Sequence, residues 1–149
     1  MFETVLGKFL EIKAQNKDQA QLLTLTADLL RSEIPHYDWV GFYFLDPIGQ
    51  TLVLGPFTGK PTEHTHIQVG KGICGQVAES KQTIIVQDVR KQNNYIACSL
   101  DVQSEIVVPI LKDGNFVAEI DIDSHAFAPF SDEDEQFLTA ISRELVEFF

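Results

Sequence analysis

The residues from Asn115 to Asp123 place ionisable side chains at alternate positions of a predicted strand. Because successive side chains of a strand point to opposite faces, Glu119, Asp121 and Asp123 share one face and apolar residues occupy the other. From this alternation alone, the ordinary interpretation is a half-exposed sheet whose acidic face is solvated. Three like charges in a row repel one another, which favours the alternative of a partly closed cavity that binds an ammonium group. A free amino acid is the simplest such ligand.

A second strand is predicted to begin near Trp39, and it carries aromatic side chains on both faces. Trp39, Gly41 and Tyr43 share one face, whereas Phe42 and Phe44 lie on the other and are predicted to join the core. Ordinary packing explains Trp39 and Tyr43, but they also suit the walls of a pocket in which Gly41 leaves room for a ligand.

The chain has two cysteines, too few for a disulfide framework. Cys74 precedes a predicted short helix whose unpaired N–H groups favour a thiolate, although a small buried residue between glycines is the alternative. Cys98 follows a polar segment and is a candidate for exposure to a pocket. A metal site formed by Cys74, Cys98, His64 and His66 is conceivable, but the spacing matches no known zinc pattern.

Charge and length restrict the classes of partner. The 149 residues include 22 Asp and Glu against 11 Lys and Arg, a formal net charge of −11. This charge repels nucleic acid and anionic membranes. No signal peptide pattern is present, and no apolar run approaches the roughly 20 residues that span a bilayer. We therefore expect one cytoplasmic domain that binds neither nucleic acid nor membrane.

The elements that must position these side chains follow from periodicity and turn signals. Amphipathic spacing predicts two helices within residues 1–34 and one within 131–149, where Ser131 begins a capping-box pattern. Between them, residues 37–124 are predicted to form the sheet and its loops. The predicted strands are 38–45, 51–54, 83–86, 105–111 and 115–123, with a short helix over 76–80. Hairpin-linked strands between terminal helices indicate an α+β fold with an antiparallel sheet.

Six short motifs occur in the order of a known family. They are WVGFYF at 39–44, LGPF at 54–57, GKGICG at 70–75, IAC at 96–98, SEIVVPI at 104–110 and DIDS at 121–124. In this order they resemble the free methionine-(R)-sulfoxide reductases, which are single GAF domains. The resemblance implies one GAF domain over residues 1–149, with a central antiparallel sheet, helices from both termini on one face and a ligand pocket on the other.

The resemblance also implies a chemistry. Cys98 matches the nucleophile that attacks the sulfoxide sulfur of free methionine sulfoxide, which leaves methionine and a sulfenic acid. Glu105 matches the carboxyl that holds the sulfoxide oxygen. Further matches are the acids that bind the substrate's amino end, Asp121 and Asp123, and the walls around its methyl group, Trp39 and Tyr43. A thioredoxin-type reductant completes such a cycle, and neither a metal nor an organic cofactor is needed.

The sequence departs from the family pattern in its thiols. The family usually has a further cysteine ten positions before the one that matches Cys74, and residues 59–67 contain none. Either Cys74 or an external thiol must therefore resolve the sulfenic acid. Glu119 also adds a charge where an aliphatic residue is common.

A stand-alone GAF sensor, which binds a small metabolite or senses oxidants through Cys98, is the alternative to an enzyme. Cyclic nucleotide binding is less attractive, because helix capping explains Phe130 and Asp134–Glu135 well enough. The apolar stripe of the first helix, together with Phe148 and Phe149, suggests a homodimer.

Overall fold

A computed structural model describes residues 1–92 and 101–149 of the chain. Its helices are α1 (Phe2–Gln15), α2 (Gln19–Glu33), α3 (Gly72–Ser80) and α4 (Asp132–Leu145), with short 3₁₀ turns at Val89–Lys91 and Val146–Phe148. Its strands are β1 (Trp39–Leu45), β2 (Thr51–Thr58), β3 (His66–Gln68), β4 (Ile84–Val86), β5 (Ser104–Lys112) and β6 (Asn115–Ser124). The six strands form one antiparallel sheet in the order β3-β2-β1-β6-β5-β4. The predicted α+β class is confirmed.

The two faces of the sheet carry different cores. Ala118, Ile120 and Ile122 of β6 face α1, α2 and α4, and all three are fully buried in the larger apolar cluster. Helix α3 covers the opposite face, where Ile73 and Val77 join a second cluster with residues of β1 and β2. Because β6 is a central strand buried on both faces, its polar side must lie inside the molecule.

Two element boundaries differ from the predicted ones. Strand β2 continues through Gly55 and Pro56 to Thr58, because an irregularity in its pairing with β1 between Gly41 and Tyr43 accommodates the proline. Helix α3 begins at Gly72 rather than at 76, since a turn in which Gly70 N–H donates to the Gly75 carbonyl holds its first residues. The predicted hairpin between β5 and β6 is present, with positive φ at Asp113 and Gly114.

The side chains that suggested a homodimer are largely covered within the chain. Val5 and Phe9 of α1 are buried in the larger cluster, and the terminal Phe148 and Phe149 pack against it, with Phe149 in edge contact with Phe44. The first-helix stripe therefore contributes to this chain's own core, and it gives no independent support for a dimer.

The start of α4 is tied to the segment that precedes β1. The Asp134 carboxylate accepts hydrogen bonds from the Ser131 N–H and hydroxyl, and from the Tyr37 hydroxyl at 2.8 Å. His36 Nε2 lies 2.7 Å from the same carboxylate. Burial alone would raise the pKa of Asp134, but these partners, His36 foremost, lower it overall. This bonding accounts for Asp134 as a structural residue, in agreement with the capping interpretation.

Candidate active site

The acidic side of β6 is inside the protein. Glu119, Asp121 and Asp123 are all fully buried, and Glu105 of the neighbouring strand β5 is nearly so. The expectation of a solvated acidic face is therefore wrong, because these carboxyls face the interior, whereas the binding of an ammonium group stays a prediction. Alternation predicted which residues share the face, but it carried no information on whether α3 and the adjoining loops would cover it.

Strand register assembles the predicted residues around β6. Asp123 pairs with Trp39 on β1 and with Glu105 on β5, so these three side chains are neighbours across three strands. Glu119 in turn pairs with Tyr43 on β1. The sheet thus brings together residues that lie up to 84 positions apart in the chain, from Trp39 to Asp123.

Helix α3 places a free thiol against the buried carboxyls of β5 and β6. Cys74 is buried, and its Sγ lies 3.9 Å from Glu105 Oε2. Cys74, Glu105 and Asp121 line a small cavity of about 10 Å³, which is the room of roughly one water molecule. The apposition follows from packing of α3 on the sheet, because Cys74 is 31 positions from Glu105 in the sequence.

Burial dominates the ionisation of this cluster. Desolvation raises the pKa of Glu105 well above its ordinary value, and the charge of Asp121 raises it further. Burial likewise raises the pKa of Asp121, and it raises that of Glu119 strongly. The pKa of the Cys74 thiol is also well above its ordinary value, through burial first and the neighbouring carboxyls second. The cluster therefore favours bound protons, and Cys74 is held as a thiol rather than a thiolate.

A larger cavity of about 120 Å³ adjoins Asp123. Trp39 supplies an apolar wall, and Arg31, Lys60 and His125 supply basic groups. At its edge, Lys60 Nζ pairs with Asp101 at 2.9 Å, and both side chains are exposed. A cavity with an aromatic wall, a buried acid and basic groups complements a zwitterion with an apolar side chain.

The polar ends of the two pocket aromatics hold the segment after β2 in place. Trp39 Nε1 donates to the Lys60 carbonyl at 2.9 Å, and the Tyr43 hydroxyl donates to the His64 carbonyl at 2.8 Å. The space beside Gly41 is taken by the Trp39 ring, because a Cβ there would lie 2.4 Å from that ring. Gly41 therefore makes room for Trp39 rather than directly for a ligand, which corrects the prediction. Trp39 also stacks on Phe57.

Cys98, His64 and His66 are the remaining residues predicted for thiol or metal chemistry. Cys98 lies in residues 93–100, outside the part of the chain that the structure describes. Of the conceivable metal site, His64 lines the same small cavity as Cys74, whereas His66 is exposed on β3 and does not. Within residues 1–92 and 101–149, the one group of three potential ligands in close proximity is Cys74, Glu105 and Asp121.

Some residues of the site have little or no signal in the sequence. The sequence shows the acidic character of Glu119 but not its burial beside Cys74, although its place in the alternating pattern is a usable signal. Arg31, Lys60 and His125 carry no sequence signal of this kind, because they come from three separate segments that meet only in the folded protein.

Comparison with known proteins identifies the fold family. The GAF domain family model matches residues 18–146. The GAF domain-containing protein A of Dictyostelium discoideum is 40% identical over 134 residues, which cover 90% of this chain and 82% of the relative. The chain therefore belongs to the GAF domain family, as the motifs predicted.

Within that family the relatives are more specific. The free methionine-R-sulfoxide reductase of Escherichia coli is 39% identical over 83% of this chain and 73% of the relative. The free methionine-R-sulfoxide reductase of Neisseria meningitidis, solved in complex with its substrate, superimposes with a TM-score of 0.94 at 35% identity. That superposition covers 99% of this chain and 87% of the other. The chain thus belongs with the free methionine-R-sulfoxide reductase branch of GAF domains. Among the described residues, every helix is too short or too polar to cross a membrane.

Proposed function

We propose that this protein is a reductase of free L-methionine-(R)-sulfoxide. The observation that carries the proposal is the buried acidic row of Glu105, Asp121 and Asp123, flanked by Trp39 and opening on a cavity with basic groups. A free amino acid has the complementary charges, since it offers one ammonium and one carboxylate beside an apolar side chain. The kinship with free methionine-R-sulfoxide reductases supports the same substrate class.

The substrate is held by charge and by an apolar wall. Asp123 and Asp121 bind the ammonium group. Its positive charge compensates the negative charge of these buried carboxylates. Lys60 and Arg31 attract the α-carboxylate at the larger cavity. Trp39 and Tyr43 enclose the methyl group, and both are nearly or fully buried.

The reaction transfers oxygen from substrate sulfur to protein sulfur. The Cys98 thiol attacks the sulfoxide sulfur while Glu105 protonates the sulfoxide oxygen, a role suited to a carboxyl whose pKa is raised by burial. The attack joins the two sulfurs. The oxygen then passes from the substrate sulfur to Cys98 as the sulfur–sulfur bond breaks, so that methionine leaves and Cys98 becomes a sulfenic acid. The proton of the original Cys98 thiol passes to Glu105 and restores its carboxyl. A dithiol reductant of the thioredoxin type then restores Cys98, with release of water and formation of the reductant's own disulfide.

The state of Cys74 favours one of the two routes of resolution. A thiolate is the nucleophile in thiol chemistry, and the raised pKa of Cys74 keeps it protonated. We therefore infer that the external reductant attacks the Cys98 sulfenic acid directly, and that Cys74 is not required for turnover.

The direct test is incubation of the protein with free methionine sulfoxide and either thioredoxin or dithiothreitol. Loss of the R epimer, measured by chiral chromatography, is expected for the parent protein and is expected to cease in Cys98→Ser. An exposed variant, Glu133→Gln, is the matched control for purification and folding. Absence of turnover with both reductants would overturn the enzyme assignment.

A ligand-binding sensor is the second candidate. The observation in its favour is the missing family cysteine in residues 59–67, together with a remaining thiol that is a poor nucleophile. A sensor is expected to be thermally stabilised by free methionine sulfoxide without consuming it.

Homodimer formation stays a separate prediction, which the mass from light scattering checks.

A further inference from the structure

Three potential ligand atoms converge on the small cavity beneath α3. One atom each from Cys74, Glu105 and Asp121 lies within 4.8 Å of the others, and all three residues are buried. Ligand atoms of a tetrahedral ion lie about 2.0–2.3 Å from the metal, and hence somewhat closer together than this. Binding of such an ion therefore requires the three ligand atoms to move closer together.

Two of the buried carboxyls near this cavity, Asp121 and Glu119, lack hydrogen-bond partners of good geometry among the described residues. Among residues 1–92 and 101–149, neither carboxylate oxygen of Asp121 has a hydrogen-bond partner of good geometry, and the residue is fully buried. The same holds for Glu119, which lies beside Cys74. An unpartnered buried carboxylate is costly, and the described residues that line the cavity include no Lys or Arg.

The space between these groups is small. Its volume of about 10 Å³ is the room of roughly one water molecule or one ion. The donor set of one sulfur and two carboxylate oxygens favours a borderline-soft cation such as Zn²⁺ over Mg²⁺ or Ca²⁺, which prefer oxygen alone.

We propose that Cys74, Glu105 and Asp121 form a binding site for one thiophilic divalent cation, represented by Zn²⁺. Cys74 binds as the thiolate, because coordination to a divalent ion deprotonates a thiol. Three protein ligands leave a fourth position open for water. Glu119 stays outside the coordination sphere and contributes negative charge.

The site overlaps the carboxyls assigned to the substrate. If the proposed function holds, bound Zn²⁺ occupies the acids that receive the sulfoxide oxygen and the ammonium group, so the cation and free methionine sulfoxide compete. Zinc is thus an inhibitor of this protein and not a cofactor of its reaction.

The site is tested in the full chain carrying Cys98→Ser, which leaves Cys74 as its one thiol. After treatment with chelator and reductant, titration with Co²⁺ is expected to show one equivalent bound with thiolate-to-cobalt charge-transfer absorption. Competition with a chromophoric chelator gives the Zn²⁺ affinity. Adding Cys74→Ser is expected to abolish the absorption and to weaken Zn²⁺ binding by more than the roughly 10- to 100-fold typical of outer-shell losses.

Further variants separate loss of a ligand from loss of the fold. Asp121→Asn is expected to weaken Zn²⁺ binding while preserving thiolate absorption at saturating Co²⁺, and Glu133→Gln is expected to change neither. Circular dichroism and melting temperature verify that each variant is folded. Equal Zn²⁺ affinity in folded Cys74→Ser or folded Asp121→Asn, or the absence of a one-to-one complex in the parent, would overturn the proposal.

Substrate competition distinguishes the cation site from the reductase assignment. Free methionine sulfoxide is expected to raise the apparent Kd for Zn²⁺ linearly with its own concentration, as a competitive ligand does. One-to-one Zn²⁺ binding that depends on Cys74 but is unaffected by the sulfoxide would support the cation site and contradict the assignment of these carboxyls to the substrate.

Discussion

The Cys74 sulfur lies 3.9 Å from Glu105 Oε2, in an interior where both groups are buried. Helix α3 contributes the thiol and β5 contributes the carboxyl, so packing of the helix on the sheet fixes this distance. Burial raises the pKa of both the Cys74 thiol and the Glu105 carboxyl, and the charge of the neighbouring Asp121 raises both further.

Replacing Glu105 with glutamine removes the proposed proton donor while retaining its shape. Turnover of free methionine-(R)-sulfoxide is expected to fall by about 10²- to 10⁴-fold, which is the usual contribution of general acid catalysis. Initial rates at saturating substrate measure this change. A Glu105→Gln protein with the parent kcat would exclude the role.

Replacing Asp123 with asparagine removes the charge that is proposed to bind the substrate's ammonium group. Because a hydrogen bond to a charged group contributes about 1.5–3 kcal/mol, KM is expected to rise by about 10- to 100-fold with a smaller change in kcat. Steady-state kinetics separate the two parameters. An unchanged KM would place the ammonium group elsewhere.

Cys74→Ser tests whether Cys74 resolves the sulfenic acid. Since burial and nearby acids keep Cys74 protonated, the variant is expected to retain most of its turnover with dithiothreitol and with thioredoxin. Trapping with a sulfenic-acid probe should label Cys98 in both proteins. Loss of turnover with both reductants, in a folded variant, would instead make Cys74 the resolving thiol.

Glu119→Gln tests the cost of the buried carboxyl that departs from the family pattern. At pH 8 the substitution is expected to raise the free energy of unfolding by about 1–3 kcal/mol, because it replaces a buried, unpartnered acid with a neutral group of similar shape. Urea denaturation measures the difference. The exposed control Glu133→Gln should remain within about 0.5 kcal/mol of the parent.

Asp134→Asn tests the pH dependence of stability at the start of α4. The folded-state pKa of Asp134 is lowered, so its stabilisation is present above its unfolded pKa of about 3.9 and is lost as pH falls through the folded value. At pH 7 the variant is expected to lose about 1–3 kcal/mol, and the difference should shrink below about pH 4. Urea denaturation across this pH range measures it, with exposed Asp132→Asn as the control. A difference that grows in acid would contradict the assignment.

Local patterns were sufficient where one dominant period or one turn decides the outcome. Alternation along β6 predicted that Glu119, Asp121 and Asp123 share a face, and the sequence Lys112–Gly114 predicted the hairpin turn. Local patterns misplaced the end of β2 and the start of α3. Pro56 usually ends a strand, but the irregular pairing of β1 with β2 lets the strand continue past it. Gly72 is a poor helix former, but the turn closed by the Gly70 N–H and the Gly75 carbonyl holds the first residues of the helix.

By itself, the sequence determined the α+β class, the two faces of the central strand, the GAF resemblance and the identities of the candidate acids and thiols. Tertiary structure alone decided that the acidic face is buried and that Cys74 lies against Glu105. It also decided that Lys60 joins Trp39 at a cavity. The physical reason is that periodicity records only the direction of a side chain from its own backbone, whereas burial, pKa and coordination depend on which distant segments pack over it.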